Sequence, residues 1–166
     1  LQDIQIRGPC TLLYNSVGNE TSPMAFYRSV SDRENVAVFA TTEEGDVFGI
    51  FFKSPVTKPN RESIDQNVLL FSFESNGRYL TPQVFPIKTE MKKRVSVKLF
   101  SQGDLFLWVG APNGNMALGL DGSPSFCMNL SKVFDGSDDQ VLTGKVTSFV
   151  NGPFLTVVRI VAYQLN

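Results

Sequence analysis

The chain of 166 residues contains no histidine and only two cysteines. Without histidine it has no Ser-His-Asp or Cys-His nucleophile arrangement, no His-ligated zinc site and no histidine pH switch. Cys10 and Cys127 are too few for a disulfide framework or a Cys-rich zinc site. We therefore expect both to be reduced, mostly buried thiols, and we expect no bound metal and no cofactor.

A strong charge imbalance and long apolar runs are also missing. The 15 basic and 16 acidic residues give a net charge of −1, which argues against binding to nucleic acid or to an anionic membrane surface. No apolar run approaches the roughly 18 residues of a membrane span, and no signal-peptide pattern is present. The expected protein is cytoplasmic and monomeric. Because the chain begins with Leu1 rather than Met, we expect it to be a fragment of a longer protein, with residues 1–166 forming a single domain.

The organising feature of the sequence is a predicted hairpin, in which Val36–Thr42 and Val47–Phe52 flank an acidic loop containing Gly45. Both runs are rich in Val, Phe and Ile without helical spacing, and Gly45 tolerates the positive φ that such a loop needs. Because both faces of the runs are apolar, we expect a central position in a sheet covered on both sides, with Phe51 in the core. Gly49 leaves space for another backbone or ring to approach.

The rest of the chain predicts mostly short strands joined by tight turns. Ser22 and Pro23 indicate the start of a short helix over 23–31, and 54–67 is expected to be an exposed, mobile loop. Nothing alternates a strand with a long helix, which disfavours a βαβ fold. The predicted fold is mostly β, a two-layer antiparallel β-sandwich with one or two short helices. Further strands are expected at 11–14, 68–74, 79–85, 94–100, 105–110, 116–120, 126–134 and 156–165.

Several motifs, taken in order, resemble those of the TLDc domain family, found in oxidation-resistance proteins. An acidic-Gly turn runs into Val-Phe-Gly-x-Phe over Gly45–Phe51, and Leu70–Phe73 gives the following Leu-Phe-Ser-Phe strand. A small-residue segment over Leu118–Leu120 precedes an aromatic segment, Phe126–Leu130, that leads to Gly136-Ser137, and the closing strand carries a late aromatic, Tyr163. The resemblance runs from Cys10 to the end of the chain and implies a sandwich fold.

The chain also departs from the family pattern at three places. Asp135 stands where the family commonly has a His, the Gly-rich middle loop is shortened to Gly119 and Gly122, and Gln66-Asn67 replaces a usual Glu. Functions of those side chains are therefore not transferred to this chain. The resemblance implies a role in oxidative-stress resistance in eukaryotes and, as for several members, binding to the vacuolar proton-pumping ATPase.

Candidate binding residues concentrate in the loops between Asp121 and Lys145, which core packing explains least. Loops presented by a rigid sandwich are where binding residues gather, so we expect a partner surface at Asp135, Ser137, Asp138 and Asp139. Alternatively, these aspartates cap turns, or they chelate a hard cation, although their spacing does not fit an EF-hand.

Four other features have a structural and a functional interpretation. Trp108 suits a core position or a sugar platform, and Cys127 suits a buried thiol or a redox group. The carboxylates of the hairpin loop suit solvated turn residues, an acid/base pair or a calcium loop; they belong to Glu43, Glu44 and Asp46. A basic cluster suits a solvated face or a phosphate site; it consists of Lys88, Lys92, Lys93, Arg94 and Lys98.

Three functional hypotheses follow from these observations. The first is a non-catalytic protein-interaction module of TLDc type, which is not an enzyme. The second is a lectin-like, carbohydrate-binding β-sandwich that uses Trp108 and loop aspartates, with calcium assistance. The third is an enzyme that works through Cys127 or the loop carboxylates.

Overall fold

The computed structural model describes residues 8–18, 20–111, 115–121, 125–145, 147 and 155–166. Within these ranges the strands are β1 Cys10–Asn15, β2 Val36–Thr42, β3 Val47–Phe52, β4 Ser63–Ile64, β5 Leu69–Glu74, β6 Gln83–Pro86, β7 Ser96–Leu99, β8 Leu105–Ala111, β9 Asn115–Asp121, β10 Phe126–Cys127 and β11 Val157–Leu165. The helices are α1 Pro23–Val30 and α2 Leu130–Val133, and Thr89–Met91 forms a 3₁₀ turn. No helix in these ranges has the length and apolar content to cross a membrane.

The strands form two antiparallel sheets. The first sheet has six strands in the order β1-β11-β2-β3-β5-β6, and the second has five in the order β10-β9-β8-β7-β4. A single cluster of buried apolar side chains draws on both sheets and both helices. The predicted two-layer antiparallel sandwich with short helices is therefore confirmed.

The predicted hairpin lies at the centre of the six-stranded sheet. Strand β2 pairs with β3 and with β11, and β3 pairs with β5, so neither strand of the hairpin is an edge. One face of the hairpin enters the core between the sheets with 0% exposure, through Val36, Val38, Ala40, Phe48, Ile50 and Phe52. Gly45 has φ 94° in the connecting loop, as its position predicts.

The opposite face of the hairpin corrects the expectation that both faces are covered. Phe51 is half-buried rather than part of the core. The rings of Phe71, Phe73 and Tyr163 surround Phe39, with centroids 4.9, 6.0 and 6.1 Å from its own, and the side chain of Phe73 is 56% exposed. These aromatic side chains cover one another in place of a second layer, so an apolar pattern on both faces did not require burial on both.

Gly49 allows another backbone and a ring to approach closely, as the sequence predicts. A Cβ built on this residue would lie 1.8 Å from the carbonyl oxygen of Val38 and 2.9 Å from Cζ of Phe71. Both distances are too short for a real Cβ contact, so the Phe71 ring can pack against the sheet only because residue 49 has no side chain.

The segment 54–67 is mostly exposed, as predicted, but it is anchored to the rest of the fold at several points. Val56 is buried, and β4 pairs with β7 within this segment. The buried Asp65 carboxylate accepts backbone N–H bonds from Lys53, Ser54 and Asn67 at 2.6, 2.7 and 2.8 Å. A polar composition predicted a solvated loop, but one buried carboxylate and one apolar side chain hold it in place.

Two helical features also bear on the sequence predictions. Ser22 Oγ accepts the backbone N–H of Ala25 at 3.1 Å, which caps α1 as predicted. The expected strand over 126–134 is wrong in its second half, because β10 has only two residues and α2 follows it. The buried Leu130 and Val133 are three residues apart, the spacing of one helix face.

Candidate functional site

The predicted partner loop lies just after α2, and most of its side chains are used locally. Asp138 Oδ1 accepts the backbone N–H of Gln140 at 2.8 Å, and Ser137 Oγ donates to the carbonyl of Phe134 at 2.9 Å. Asp139 Oδ1 accepts a longer bond, 3.4 Å, from the backbone N–H of Ser131. Asp135 and Asp138 remain exposed. The loop is therefore built as a turn with two solvated carboxylates, and its role as a partner surface stays a prediction.

The acidic hairpin loop is only partly solvated, which corrects one sequence interpretation. Asp46 is 1% exposed, and its Oδ1 lies 2.6 Å from an Arg78 guanidinium nitrogen. Arg78 also donates to the carbonyl of Leu142 at 2.8 Å, and Glu44 pairs with Lys145. These ion pairs tie the hairpin loop to two other loops. Asp46 Oδ2 has no hydrogen-bond partner among the described residues.

The two cysteines are free thiols in opposite environments. Cys127 is fully buried as predicted, whereas Cys10 is exposed, against the expectation of two buried thiols. Burial raises the pKa of the Cys127 thiol to about 11, although a hydrogen bond with the Thr147 side chain partly opposes the shift. A buried thiol with a raised pKa is a poor nucleophile, because the thiolate is the reactive form.

Trp108 and the carboxylates lack the geometry that a sugar or calcium site needs. The Trp108 side chain is only 9% exposed, so it has little surface on which a sugar ring could stack. Within the described residues, no three Cys, Asp or Glu side chains gather in a way that could hold a metal ion. Over the part of the chain that the structure describes, the arrangement offers neither a sugar platform nor a cation site.

A groove at one end of the six-stranded sheet was missed by the sequence predictions. It has a volume of about 410 Å³ and lies where β3 ends and β5 begins. Its apolar floor includes Phe51, Leu69 and Pro86, which are directly opposite one another in β3, β5 and β6. Paired residues on neighbouring strands share a face, so the three side chains form one row across the outer surface. We call this feature the β3–β5–β6 groove.

Lysines flank the apolar row of the groove. Lys53 and Lys92 line it and are exposed, and no carboxylate does so. Among the described residues neither lysine forms an ion pair, since the ion pairs there are Arg78–Asp46 and Lys145–Glu44. The nearby Asp65 is buried and bonded to backbone N–H groups. The groove thus combines apolar surface with positive charge that forms no ion pair among the residues the structure describes.

The comparison with known families agrees with the motifs and the fold. The TLDc domain model matches residues 1–152, and the chain belongs to the TLDc domain family. Strand β11, beyond the matched residues, pairs with both β1 and β2 and is an integral part of the sheet. No curated protein matches the chain significantly.

Proposed function

We propose that the protein is a non-catalytic interaction module of TLDc type that contributes to oxidative-stress resistance by binding the vacuolar proton-pumping ATPase. Membership of the TLDc family over residues 1–152 is the observation that carries the proposal. In this proposal the domain acts as a monomer in the cytoplasm of a eukaryotic cell. Its effect on oxidative stress passes through the partner rather than through chemistry on its own surface.

The surface of the protein supports an interaction role. The outer face of the six-stranded sheet carries half-buried and exposed aromatic side chains, among them Phe51 and Phe73. Exposed apolar surface of this kind is typical of protein-binding sites. The absence of histidine and the burial of Cys127 disfavour a nucleophilic enzyme, and the burial of Trp108 disfavours a lectin.

Affinity capture tests this function. The full-length protein, tagged and expressed in its own cells, is used to recover partners, and subunits of the vacuolar proton-pumping ATPase are identified by mass spectrometry. Cells lacking the protein are compared for survival in peroxide and for organelle acidification. Recovery of the pump together with peroxide sensitivity that the wild-type gene rescues is expected. Failure to recover the pump under conditions that preserve its assembly would contradict the proposal.

A further inference from the structure

We propose that the β3–β5–β6 groove binds an acidic peptide segment of a partner protein, in which Asp or Glu lies next to large apolar side chains. The inference rests on the proposed interaction function and specifies the chemistry of the segment that is recognised. Two properties of the groove carry it: an apolar row across three strands, and lysines beside that row that form no ion pair with any described residue.

The apolar row defines where the large side chains of the peptide would lie. Phe51 and Leu69 are half-buried and Pro86 is exposed, so these side chains still expose apolar surface to solvent. Apolar side chains that cover this row would remove that surface from water, which is the main favourable contribution to most protein association. Val68 and Ile87, both buried, also line the groove and add to its apolar surface.

The lysines define the charge of the segment. Lys53 directly follows the last residue of β3 and lines the groove together with Phe51. Lys92 lines the groove just after the 3₁₀ turn Thr89–Met91. With no carboxylate among the lining residues, an anionic peptide meets complementary charge, whereas a cationic one is repelled.

Hydrogen bonds within the chain hold the residues on both sides of the groove. Asp65 holds the backbone of Lys53, Ser54 and Asn67 together, and Asn67 lines the groove beside Gln66. The 2.8 Å bond between the Asp135 N–H and the Pro86 carbonyl, and the 3.0 Å bond between the Lys88 N–H and the Val133 carbonyl, anchor the β6 side. A preformed groove binds with a smaller entropic penalty than one that must order on binding.

A peptide-binding experiment tests the inference on the full chain. The probe is a short fluorescent peptide in which glutamates alternate with leucine and phenylalanine, and its anisotropy is measured at low and at physiological salt. One control peptide carries glutamine in place of each glutamate, and a second carries serine in place of leucine and phenylalanine. We expect the probe to bind, each control peptide to bind at least about tenfold more weakly, and the affinity to fall as salt rises.

Matched protein variants locate the site. The double variant Lys53→Glu/Lys92→Glu should bind the probe at least about tenfold more weakly, because two attractions become repulsions. Lys93→Glu/Lys132→Glu changes the net charge equally at exposed lysines that do not line the groove, and its affinity should stay within about twofold of wild type. Phe51→Ala should weaken binding, whereas Phe73→Ala, on the same face but outside the groove, should not. Thermal unfolding of each variant checks that it is folded.

Three results would overturn the inference. The first is equal affinity of the Lys53→Glu/Lys92→Glu variant and the wild type. The second is equal binding of the serine control peptide, and the third is full competition by inorganic phosphate at millimolar concentration; either would indicate a simple anion site. Capture of the vacuolar ATPase is scored separately, so failure of the wild-type protein to bind the probe while the pump is still captured rejects the groove and leaves the proposed function standing.

Discussion

The two faces of the six-stranded sheet are built from the same residue types but have different surroundings. On the inner face Phe48, Ile50 and Phe52 are completely buried between the sheets. On the outer face Phe51 is half-buried and Phe73 is 56% exposed. An apolar strand face therefore shows only that burial of that face would be favourable. Which face the chain itself covers depends on the tertiary structure. The outer face is accordingly where we look for partners.

The largest expected effect separates the two faces directly. Phe52→Ala should lower the free energy of unfolding by about 3–5 kcal/mol, because it removes a fully buried ring and leaves a cavity. Phe51→Ala should lower it by only about 1 kcal/mol, since part of that ring is already in contact with water. Urea unfolding of the two variants measures the difference. Equal losses would show that Phe51 belongs to the core and would contradict the comparison.

The second prediction concerns Gly49, where the β3 backbone is approached closely by the Val38 carbonyl and the Phe71 ring. Gly49→Ala should destabilise the protein by about 1–3 kcal/mol, because its Cβ would overlap the Val38 carbonyl and displace the Phe71 ring. Near-ultraviolet circular dichroism should also change, as the aromatic packing of the outer face shifts. A variant as stable as the wild type would show that the close approach at Gly49 is not required.

The exposed Cys10 and the buried Cys127 should differ in the same way, in their reactivity and in their dependence on pH. Cys10 should label rapidly with a thiol reagent, and Cys127 only after unfolding, since one is exposed and the other buried. Because burial raises the pKa of the Cys127 thiol to about 11, the folded state retains that proton when the unfolded state loses it. The contribution of the protonated Cys127 thiol to the free energy of unfolding is therefore fully present below about pH 8.5, the pKa of a free thiol. It is lost as the pH rises toward about 11.

Stability measured across this alkaline range tests the shift. The loss attributable to Cys127 should be on the order of 2 kcal/mol, and it should disappear in Cys127→Ala but persist in Cys10→Ala. Parallel pH profiles for the wild type and Cys127→Ala would mean that the thiol pKa is not raised in the folded protein.

The smallest effect on stability is expected in the predicted partner loop. Asp138→Lys/Asp139→Lys should change the free energy of unfolding by about 0.5 kcal/mol or less, because Asp138 is exposed and the Asp139 bond is long. The informative measurement is the capture of partners from cells. A folded double variant that recovers the same partners would exclude this loop as the binding surface and would leave the outer face of the sheet as the stronger candidate.

The sequence predicted the framework of the fold because that framework depends on local signals. The hairpin at Val36–Thr42 and Val47–Phe52 and the cap at Ser22 each follow from neighbouring residues, and the structure confirms them. The buried roles of Asp46 and Asp65 were missed because each depends on partners distant in sequence, Arg78 for one and the backbone of Lys53 for the other.

The groove was missed for a related reason. Phe51, Leu69 and Pro86 become a single row only when three strands pair in register, and that register cannot be derived from any one segment. Lys92 was recognised only as part of a basic cluster, and nothing in the sequence places Lys53 near it. The residues that carry the strongest candidate surface therefore come from separate regions of the chain.

The carboxylate of Asp65 also has a consequence for the motions of the protein. Amide groups in polar loops usually exchange their hydrogens with solvent quickly, because the loops open with little expenditure of free energy. Here the amides of Lys53, Ser54 and Asn67 all donate to one buried side chain, so we expect them to exchange more slowly than the other amides of the segment. A mostly irregular segment would thereby show slow hydrogen exchange around one buried carboxylate, at one rim of the groove.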